Sequence, residues 1–270
     1  MNRIDKTFKR LRQGKKKAFI AYIAAGDPDM KTSAALVLAL AENGADIIEL
    51  GIPFSDPLAD GPTIQKASQR ALEAGCTVRK VLDMVKGLRK RIETPLVFMT
   101  YYNIVFNYGV SRFIKDAKKA GADGIIVPDL PMEESKELTR TADHEDFSVI
   151  LLAAPTTSSE RFRKISARSR GFIYYVSLTG VTGARKKLSA GLKKDVRALK
   201  KLTGKPICVG FGVSTSSQAE DIAHSADGII VGSAIIKVLE KHLGDRRGMI
   251  KAVGDFAGSI SRAVHRVRAR

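Results

Sequence analysis

The sequence has no tryptophan, only two cysteines and four histidines, and no hydrophobic run long enough to cross a membrane. A membrane-spanning helix needs about 20 apolar residues, and the basic stretch at residues 1–17 lacks the apolar centre of a secretory signal. We therefore expect a soluble, cytoplasmic protein. Cys76 and Cys208 stand far apart in unlike contexts, so neither a disulfide framework nor a zinc site is indicated. No grouping of His, Cys, Asp and Glu has metal-ligand spacing, and we expect no bound metal.

Acidic residues are scarce relative to basic ones. The chain has 46 Lys and Arg against 28 Asp and Glu, a net charge of +18, and the excess lies in residues 3–17, 185–205 and 246–270. Such a charge raises the question of a polyanionic partner. These runs contain almost no aromatic residues for base stacking and match no nucleic-acid-binding motif. We expect solvated helix faces and no specific nucleic-acid binding, with a weak attraction to anions such as a phosphorylated substrate.

Short runs rich in Ile and Val alternate along the chain with longer segments of helical period. Continuous apolar strands joined by helices indicate a parallel sheet. Eight such units in 270 residues predict an α/β protein with the (β/α)₈ TIM-barrel fold, as a single domain over residues 1–270. A doubly wound sheet is the alternative, but its G-x-G-x-x-G motif after the first strand is absent. The predicted strands span residues 18–24, 46–50, 96–100, 124–127, 148–152, 172–176, 206–209 and 228–231.

Two further features support the barrel. Residues 43–48, 120–126 and 225–230 spell nearly the same junction three times, in which small residues end a helix and an aspartate opens the next strand. Before the first strand, residues 1–16 predict an extra N-terminal helix, because Ile4, Phe8 and Leu11 recur on one helical face. We expect this helix to cover the amino-terminal end of the barrel.

An acidic residue lies near the end of the second predicted strand. Active sites of TIM barrels lie at the carboxyl ends of the strands, and Glu49 stands there among apolar neighbours. A carboxylate in a buried strand is costly unless it is paired or used; a surface-facing or salt-bridged glutamate is the alternative. Asp56 and Asp60 follow in a proline-rich loop, where turn capping is the alternative role. Two carboxylates in different environments are suited to divide acid and base roles.

Glycines follow the last two predicted strands, at residues 210–212 and 232–234. In TIM barrels the loops after strands seven and eight commonly bind phosphate through backbone N–H groups and a helix N-terminus; ordinary turn glycine is the alternative. Residues 177–191, after the sixth strand, form a long polar loop with glycines, which we interpret as a lid that closes over a substrate.

The absence of two motifs limits the chemistry that the site could perform. The sequence has no nucleophile elbow and no Walker A loop, which leaves acid–base chemistry on a small phosphorylated compound. Two other interpretations stay open. One is an isomerase or epimerase of another phosphate-binding barrel type, and the other is a non-catalytic barrel that acts as an activating or polyanion-binding partner.

The stretch 49–65, ELGIPFSDPLADGPTIQ, closely resembles the signature of the tryptophan synthase α subunit family. The resemblance covers nearly the whole chain. It includes the segments Gly-Asp-Pro at 26–28, Tyr-Tyr-Asn at 101–103, Val-Pro-Asp-Leu-Pro at 127–131, Gly-Val-Thr-Gly at 180–183, Gly-Phe-Gly at 210–212 and Gly-Ser-Ala-Ile at 232–235.

This resemblance implies an enzyme, a carbon–carbon lyase of tryptophan biosynthesis that needs no cofactor. It cleaves indole-3-glycerol phosphate to indole and glyceraldehyde 3-phosphate by a retro-aldol reaction. By the same resemblance, Glu49 protonates C3 of the indole ring and then assists loss of the glycerol hydroxyl proton. Asp60 accepts the indole N–H and stabilises the positive charge that develops there, and Tyr174 positions Glu49 or the substrate.

The resemblance also implies the binding residues and the partner. Tyr22 and Phe211 wall the indole, and the phosphate is held by Gly183, Gly210, Phe211, Gly212, Gly232 and Ser233. The family works in an α₂β₂ heterotetramer with a β subunit that carries pyridoxal phosphate and receives the indole. Residues 53–62 and 129–131 match its β-contacting regions. Leu178 departs from the pattern, since many relatives have an arginine there.

Overall fold

Nine strands and twelve helices alternate along the part of the chain that the structure describes. The structure is a computed structural model and describes residues 1–176, 185–210 and 212–268. The strands are β1 (Ala18–Ala24), β2 (Ile47–Gly51), β3 (Leu96–Met99), β4 (Gly124–Ile126), β5 (Ser148–Ile150), β6 (Leu152–Ala153), β7 (Ile173–Val176), β8 (Ile207–Gly210) and β9 (Gly228–Val231). The helices are α1 (Arg3–Gln13), α2 (Met30–Glu42), α3 (Pro62–Glu73), α4 (Val78–Leu88), α5 (Tyr102–Tyr108), α6 (Val110–Ala120), α7 (Lys136–His144), α8 (Ser159–Arg168), α9 (Arg185–Lys200), α10 (Ser216–Ala223), α11 (Ser233–Glu240) and α12 (Arg246–Arg266). No helix in these described ranges is long and apolar enough to span a membrane.

The strands form a parallel barrel that closes through the segment 148–153. The sheet order is β5-β4-β3-β2-β1-β9-β8-β7-β6, with β5 and β6 at opposite ends. These two short strands are consecutive in the chain, and β5 pairs with β4 while β6 pairs with β7. The segment therefore occupies one position in the barrel, and the prediction of a TIM barrel is confirmed.

The fifth predicted strand, residues 148–152, is divided into β5 and β6. At the break, the backbone N–H of Leu151 donates to Ser169 Oγ at 3.0 Å instead of to a neighbouring strand. The carbonyl of Leu151 still accepts from the N–H of Tyr174 on β7 at 3.1 Å. The strand is interrupted at this residue because a side chain from a later loop takes the donor that would otherwise continue the ladder. The boundaries of the other predicted strands agree with the structure within one residue.

The amino-terminal half of the barrel interior is apolar and is covered by α1. Successive side chains of a strand point alternately inward and outward, and the inward ones form a single cluster with the apolar face of the helix. Phe8 of α1 lies with its ring centre 5.8 Å from that of Phe172. The predicted covering role of the extra helix is thus confirmed. The cluster consists of Ile4, Phe8, Leu11, Ala18, Ile20, Ile47, Val97, Ile126, Ile150, Phe172, Cys208 and Ile230.

The repeated junction seen in the sequence has one common structure. Asp46, Asp123 and Asp227 each precede a strand, and each carboxylate accepts a backbone N–H from the neighbouring strand, in β1, β3 and β8 respectively, at 2.9 to 3.0 Å. A carboxylate that accepts such a bond fixes the start of one strand against the next. The aspartate of the junction therefore sets strand register at the amino-terminal end of the barrel.

The described part of the predicted lid differs from expectation. Residues 177–184 lie outside the described residues, but residues 185–191, predicted as loop, begin helix α9. Leu192 and Val196 of this helix are buried. Their spacing of four continues back to Leu188 in the sequence, so the helical period includes the segment that the prediction left in the loop.

We expect Phe8→Ala to lower the free energy of unfolding by about 3 kcal/mol, because it leaves a cavity in the packed amino-terminal half of the barrel interior. Urea unfolding followed by circular dichroism would measure this change. Lys9→Ala is the matched control, since Lys9 is the exposed neighbour on the same helix and its loss should change stability by less than about 0.5 kcal/mol. Equal effects of the two substitutions would contradict the role assigned to α1.

Candidate active site

A cavity of about 880 Å³ opens at the carboxyl ends of the strands, opposite α1. It lies where the loops after the strands converge, as in other barrels of this type. Most of the residues singled out in the sequence line it. They are Tyr22, Asp60, Tyr174, Gly210, Gly212, Gly232 and Ser233. Gly183 and Phe211 lie outside the described residues.

Glu49 lies inside the barrel, beside the cavity and not on its lining surface. It is paired in register with Tyr22 of β1 and Val97 of β3, one step above the apolar cluster that α1 covers. The side chain is fully buried. Neither carboxyl oxygen has a hydrogen-bond partner among the described residues. The surface-facing and salt-bridged alternatives for Glu49 are therefore wrong.

The environment of Glu49 changes its proton affinity. Burial without a compensating charge raises the pKa of this carboxyl from 4.5 to about 8, because removal from water disfavours the charged form. At neutral pH the group is therefore mainly protonated. An acid with a raised pKa, placed beside a cavity, is suited to donate a proton and to take one back.

Two tyrosines share the interior with Glu49, and glycines give them room. A Cβ atom on Gly51 would overlap the hydroxyl of Tyr22, and a Cβ on Gly210 would lie 2.6 Å from the hydroxyl of Tyr174. The pKa of each tyrosine is well above its usual value, first because of burial and then because Glu49 and Asp60 are close. Both tyrosines are therefore uncharged at neutral pH, and each hydroxyl is available for hydrogen bonding.

Asp60 lies in the loop between β2 and α3 and is half-buried. Its backbone N–H donates to the carbonyl of Pro57 at 3.0 Å, and its carbonyl accepts from Gln65 Nε2 at 2.9 Å. Burial raises the pKa of its carboxyl, and the nearby Tyr101 hydroxyl opposes this rise. The same hydroxyl accepts the N–H of Ala59 at 3.0 Å. Tyr101 therefore holds the loop at Ala59 and lies close to the Asp60 carboxylate.

The side of the cavity predicted to bind phosphate is formed by the ends of β8 and β9. Gly212, Gly232 and Ser233 line the cavity together, and α11 begins at Ser233 with no side-chain cap. The first N–H groups of a helix have no partner within the helix, and a helix N-terminus favours an anion. Unpaired donors at this edge of the cavity thus favour a small anionic group.

The comparisons with known proteins agree with this geometry. Residues 8–265 match the family described as tryptophan synthase alpha chain. The tryptophan synthase alpha chain of Geobacter sulfurreducens is 47% identical over 98% of this chain and 99% of its own length. That of Caldanaerobacter subterraneus subsp. tengcongensis is 48% identical over 96% of this chain and 98% of its own. The chain belongs to the tryptophan synthase alpha chain family.

Solved structures of the family superpose closely on this one. The tryptophan synthase subunit alpha of Legionella pneumophila str. Paris has a TM-score of 0.92 and 40% identity, with 98% of both chains covered. Tryptophan synthase of Mycobacterium tuberculosis has a TM-score of 0.88 and 36% identity, again with 98% of both chains covered. Family membership favours the lyase over the isomerase or epimerase and over the non-catalytic barrel. No feature of the described residues supports either of these two interpretations.

Several residues of the site were not predicted as such. Tyr101 belongs to a motif that marked the family resemblance, but nothing near it in the sequence indicates its hydrogen bond to the loop of Asp60 at Ala59. The cavity wall also carries Asp129, Arg161 and Lys237. Asp129 accepts the backbone N–H of Tyr102 at 2.9 Å, which fixes the start of α5. Within the described ranges, no group of three His, Cys, Asp or Glu side chains has the arrangement of a metal site.

The raised pKa of Glu49 predicts a pH-dependent stability difference between Glu49→Gln and the unsubstituted chain. The folded state holds the Glu49 proton more tightly than the unfolded state, so this group lowers the free energy of unfolding as pH rises from about 4.5 to about 8. From pH 5 to pH 9, the free energy of unfolding of Glu49→Gln should rise by a few kcal/mol relative to that of the original chain. The scale is about 1.4 kcal/mol for each pKa unit.

Urea unfolding at both pH values measures this difference. Exposed Glu134→Gln is the control, and its stability difference should stay constant. A Glu49→Gln difference that is also independent of pH would show that the carboxyl is not held protonated by burial.

Proposed function

We propose that this chain is the α subunit of tryptophan synthase and cleaves indole-3-glycerol phosphate to indole and glyceraldehyde 3-phosphate. The observation that carries the proposal is the pairing of two unlike carboxyl groups at one cavity. Glu49 is fully buried with a raised pKa, and Asp60 is half-buried on the cavity wall. Family membership supplies the reaction, and this geometry supplies the groups that it needs.

The buried acid fits the first chemical step. The carbon–carbon bond breaks once the ring carbon C3 is protonated, and protonated Glu49 is the donor on the inner side of the cavity. The resulting carboxylate then takes the proton of the glycerol hydroxyl as the bond electrons return to the ring. One proton is given and one is recovered, so Glu49 ends the cycle protonated. Because both of its oxygens are buried, the side chain must turn toward the cavity to act.

Asp60 fits the charge that appears on the other side of the ring. Protonation at C3 places positive charge on the indole nitrogen, and a carboxylate that accepts the N–H stabilises this charge. Such an interaction is stronger in the transition state than in the ground state, and therefore increases the rate. The nearby Tyr101 hydroxyl favours the charged form of this carboxylate.

The remaining assignments concern binding. Tyr22 walls the indole together with Phe211, and Tyr174 positions Glu49 or the substrate from β7. The position of both tyrosines next to Glu49 supports these roles. The phosphate is held by backbone N–H groups around the α11 N-terminus. The proposed phosphate-binding residues are Gly183, Gly210, Phe211, Gly212, Gly232 and Ser233.

The proposed partner is a β subunit that carries pyridoxal phosphate, in an α₂β₂ assembly in the cytoplasm. Exposed apolar side chains on the cavity side support a partner surface there. Leu58, after β2, is 94% exposed, and Phe106 on α5 is 63% exposed. Burial of such groups favours association. A partner seated here would also cover the cavity through which indole leaves.

We expect Asp60→Asn to lower the rate of indole release by at least about hundredfold, because an amide cannot balance the charge on the ring nitrogen. Glu49→Gln should lower this rate by a similar factor, since an amide cannot exchange the required protons. Indole release from indole-3-glycerol phosphate by the purified chain measures both. Asp56→Asn, in the same loop but exposed, should keep the original rate. Normal rates in Asp60→Asn or Glu49→Gln would refute the assigned roles.

We expect Phe106→Asp to weaken stimulation by an added tryptophan synthase β subunit by at least about tenfold in apparent affinity, because it places a charge in an apolar contact. Titration of the β subunit against indole release measures this. Leu243→Asp changes another exposed apolar side chain, in the segment between α11 and α12, and serves as control. Equal stimulation of both variants would place the partner surface elsewhere.

A further inference from the structure

The charged groups on the cavity wall differ in how far they are neutralised. Two cationic side chains line the described cavity, Arg161 on α8 and Lys237 on α11. The guanidinium of Arg161 donates to both carboxylate oxygens of Glu133, at 2.7 and 2.8 Å. Its charge is therefore largely balanced by a fixed partner.

Lys237 lies on the same helical face as the start of α11. It follows Ser233 by four residues, about one turn, so the two side chains share a face. Side chains of a helix lean toward its N-terminus and cover the preceding turn. A lean of this kind brings the ammonium of Lys237 toward the turn that begins with Ser233, and both residues line the cavity with Gly232.

The carboxylate nearest to Lys237 along the helix is held by another cation. Glu240, three residues further on, accepts from Arg70 Nη1 at 2.9 Å. Arg70 also donates two hydrogen bonds of 2.8 Å to the buried carboxylate of Asp27. Among the residues that the structure describes, no ion pair of Lys237 is found. Lys237 is exposed, and its charge therefore remains open to an anion in the cavity.

We propose that Lys237 supplies the positive charge that binds the phosphate dianion of the substrate, a role that rests on the proposed function above. The backbone N–H groups of the glycine turns are neutral donors, and a phosphate monoester carries nearly two negative charges at neutral pH. A cation close to such a dianion strengthens its binding. The phosphate does not change charge during cleavage. Lys237 therefore stabilises ground state and transition state alike and determines KM, whereas kcat is set by the two acids.

Phosphate binding and cleavage are measured separately to test this role. The variants are Lys237→Met, which removes the charge but keeps the length, and Lys237→Arg, which keeps the charge. Lys241→Met is the matched control, because Lys241 is an exposed lysine one turn further on that does not line the cavity. Titration calorimetry gives the affinity for inorganic phosphate, and indole release gives KM and kcat, at about 20 and about 200 mM salt.

We expect Lys237→Met to raise the dissociation constant for phosphate and the KM by about tenfold, with kcat changed by less than about twofold. The dependence of KM on salt should become weaker, because a screened charge is gone. Lys237→Arg should restore most of the affinity. Lys241→Met should behave as the original chain.

Phosphate affinity and KM that are equal in Lys237→Met and Lys241→Met would overturn the assignment, as would a failure of arginine to restore binding. Absence of phosphate binding by the original chain would overturn it as well. If the original chain binds phosphate but releases no indole, the proposed function fails, and the phosphate titrations alone decide the role of Lys237.

Discussion

A closed parallel barrel determines which side chains meet, because every second residue of each strand points inward and the register sets its height. The site depends on this constraint at Glu49. Register with Tyr22 places it directly above an apolar cluster covered by α1, and beside a largely apolar cavity that also carries polar groups such as Asp60 and Ser233. The carboxyl has no polar partner because its lower neighbours are hydrocarbon. Its raised pKa, the close tyrosines and the need to turn toward a substrate all follow from that position.

Much of this arrangement could be predicted from local sequence pattern. Strands of Ile and Val between helical segments indicated the barrel, and β9 lies where the pattern placed it. The spacing of Ile4, Phe8 and Leu11 indicated the covering helix. An acid between apolar residues at a strand end marked Glu49, but its spacing alone could not exclude a surface position. Closure of the barrel decided this, since it leaves no exposed inner face.

The features that escaped prediction depend on residues distant in sequence. The break between β5 and β6 is caused by Ser169. The loop of Asp60 is held by Tyr101, which accepts the N–H of Ala59 and stands 41 positions after Asp60 in the printed sequence. Gly210 was expected to approach a phosphate, whereas the structure shows that it also makes room for the ring of Tyr174. The pattern of a strand predicts which face a side chain occupies, but it does not predict which residue lies opposite across the barrel. The roles of Gly183 and Phe211 stay predictions.

The position of α1 bears on how this chain folds during synthesis. The helix ends at Gln13, but the cluster that it joins includes Ile230 of β9, and β1 pairs with β9 as well as with β2. A ribosome that adds about 5 to 20 residues per second delivers β9 roughly 10 to 40 seconds after α1. During that interval the apolar face of the first helix lacks its final packing. The barrel is sealed only when the last strand has left the ribosome.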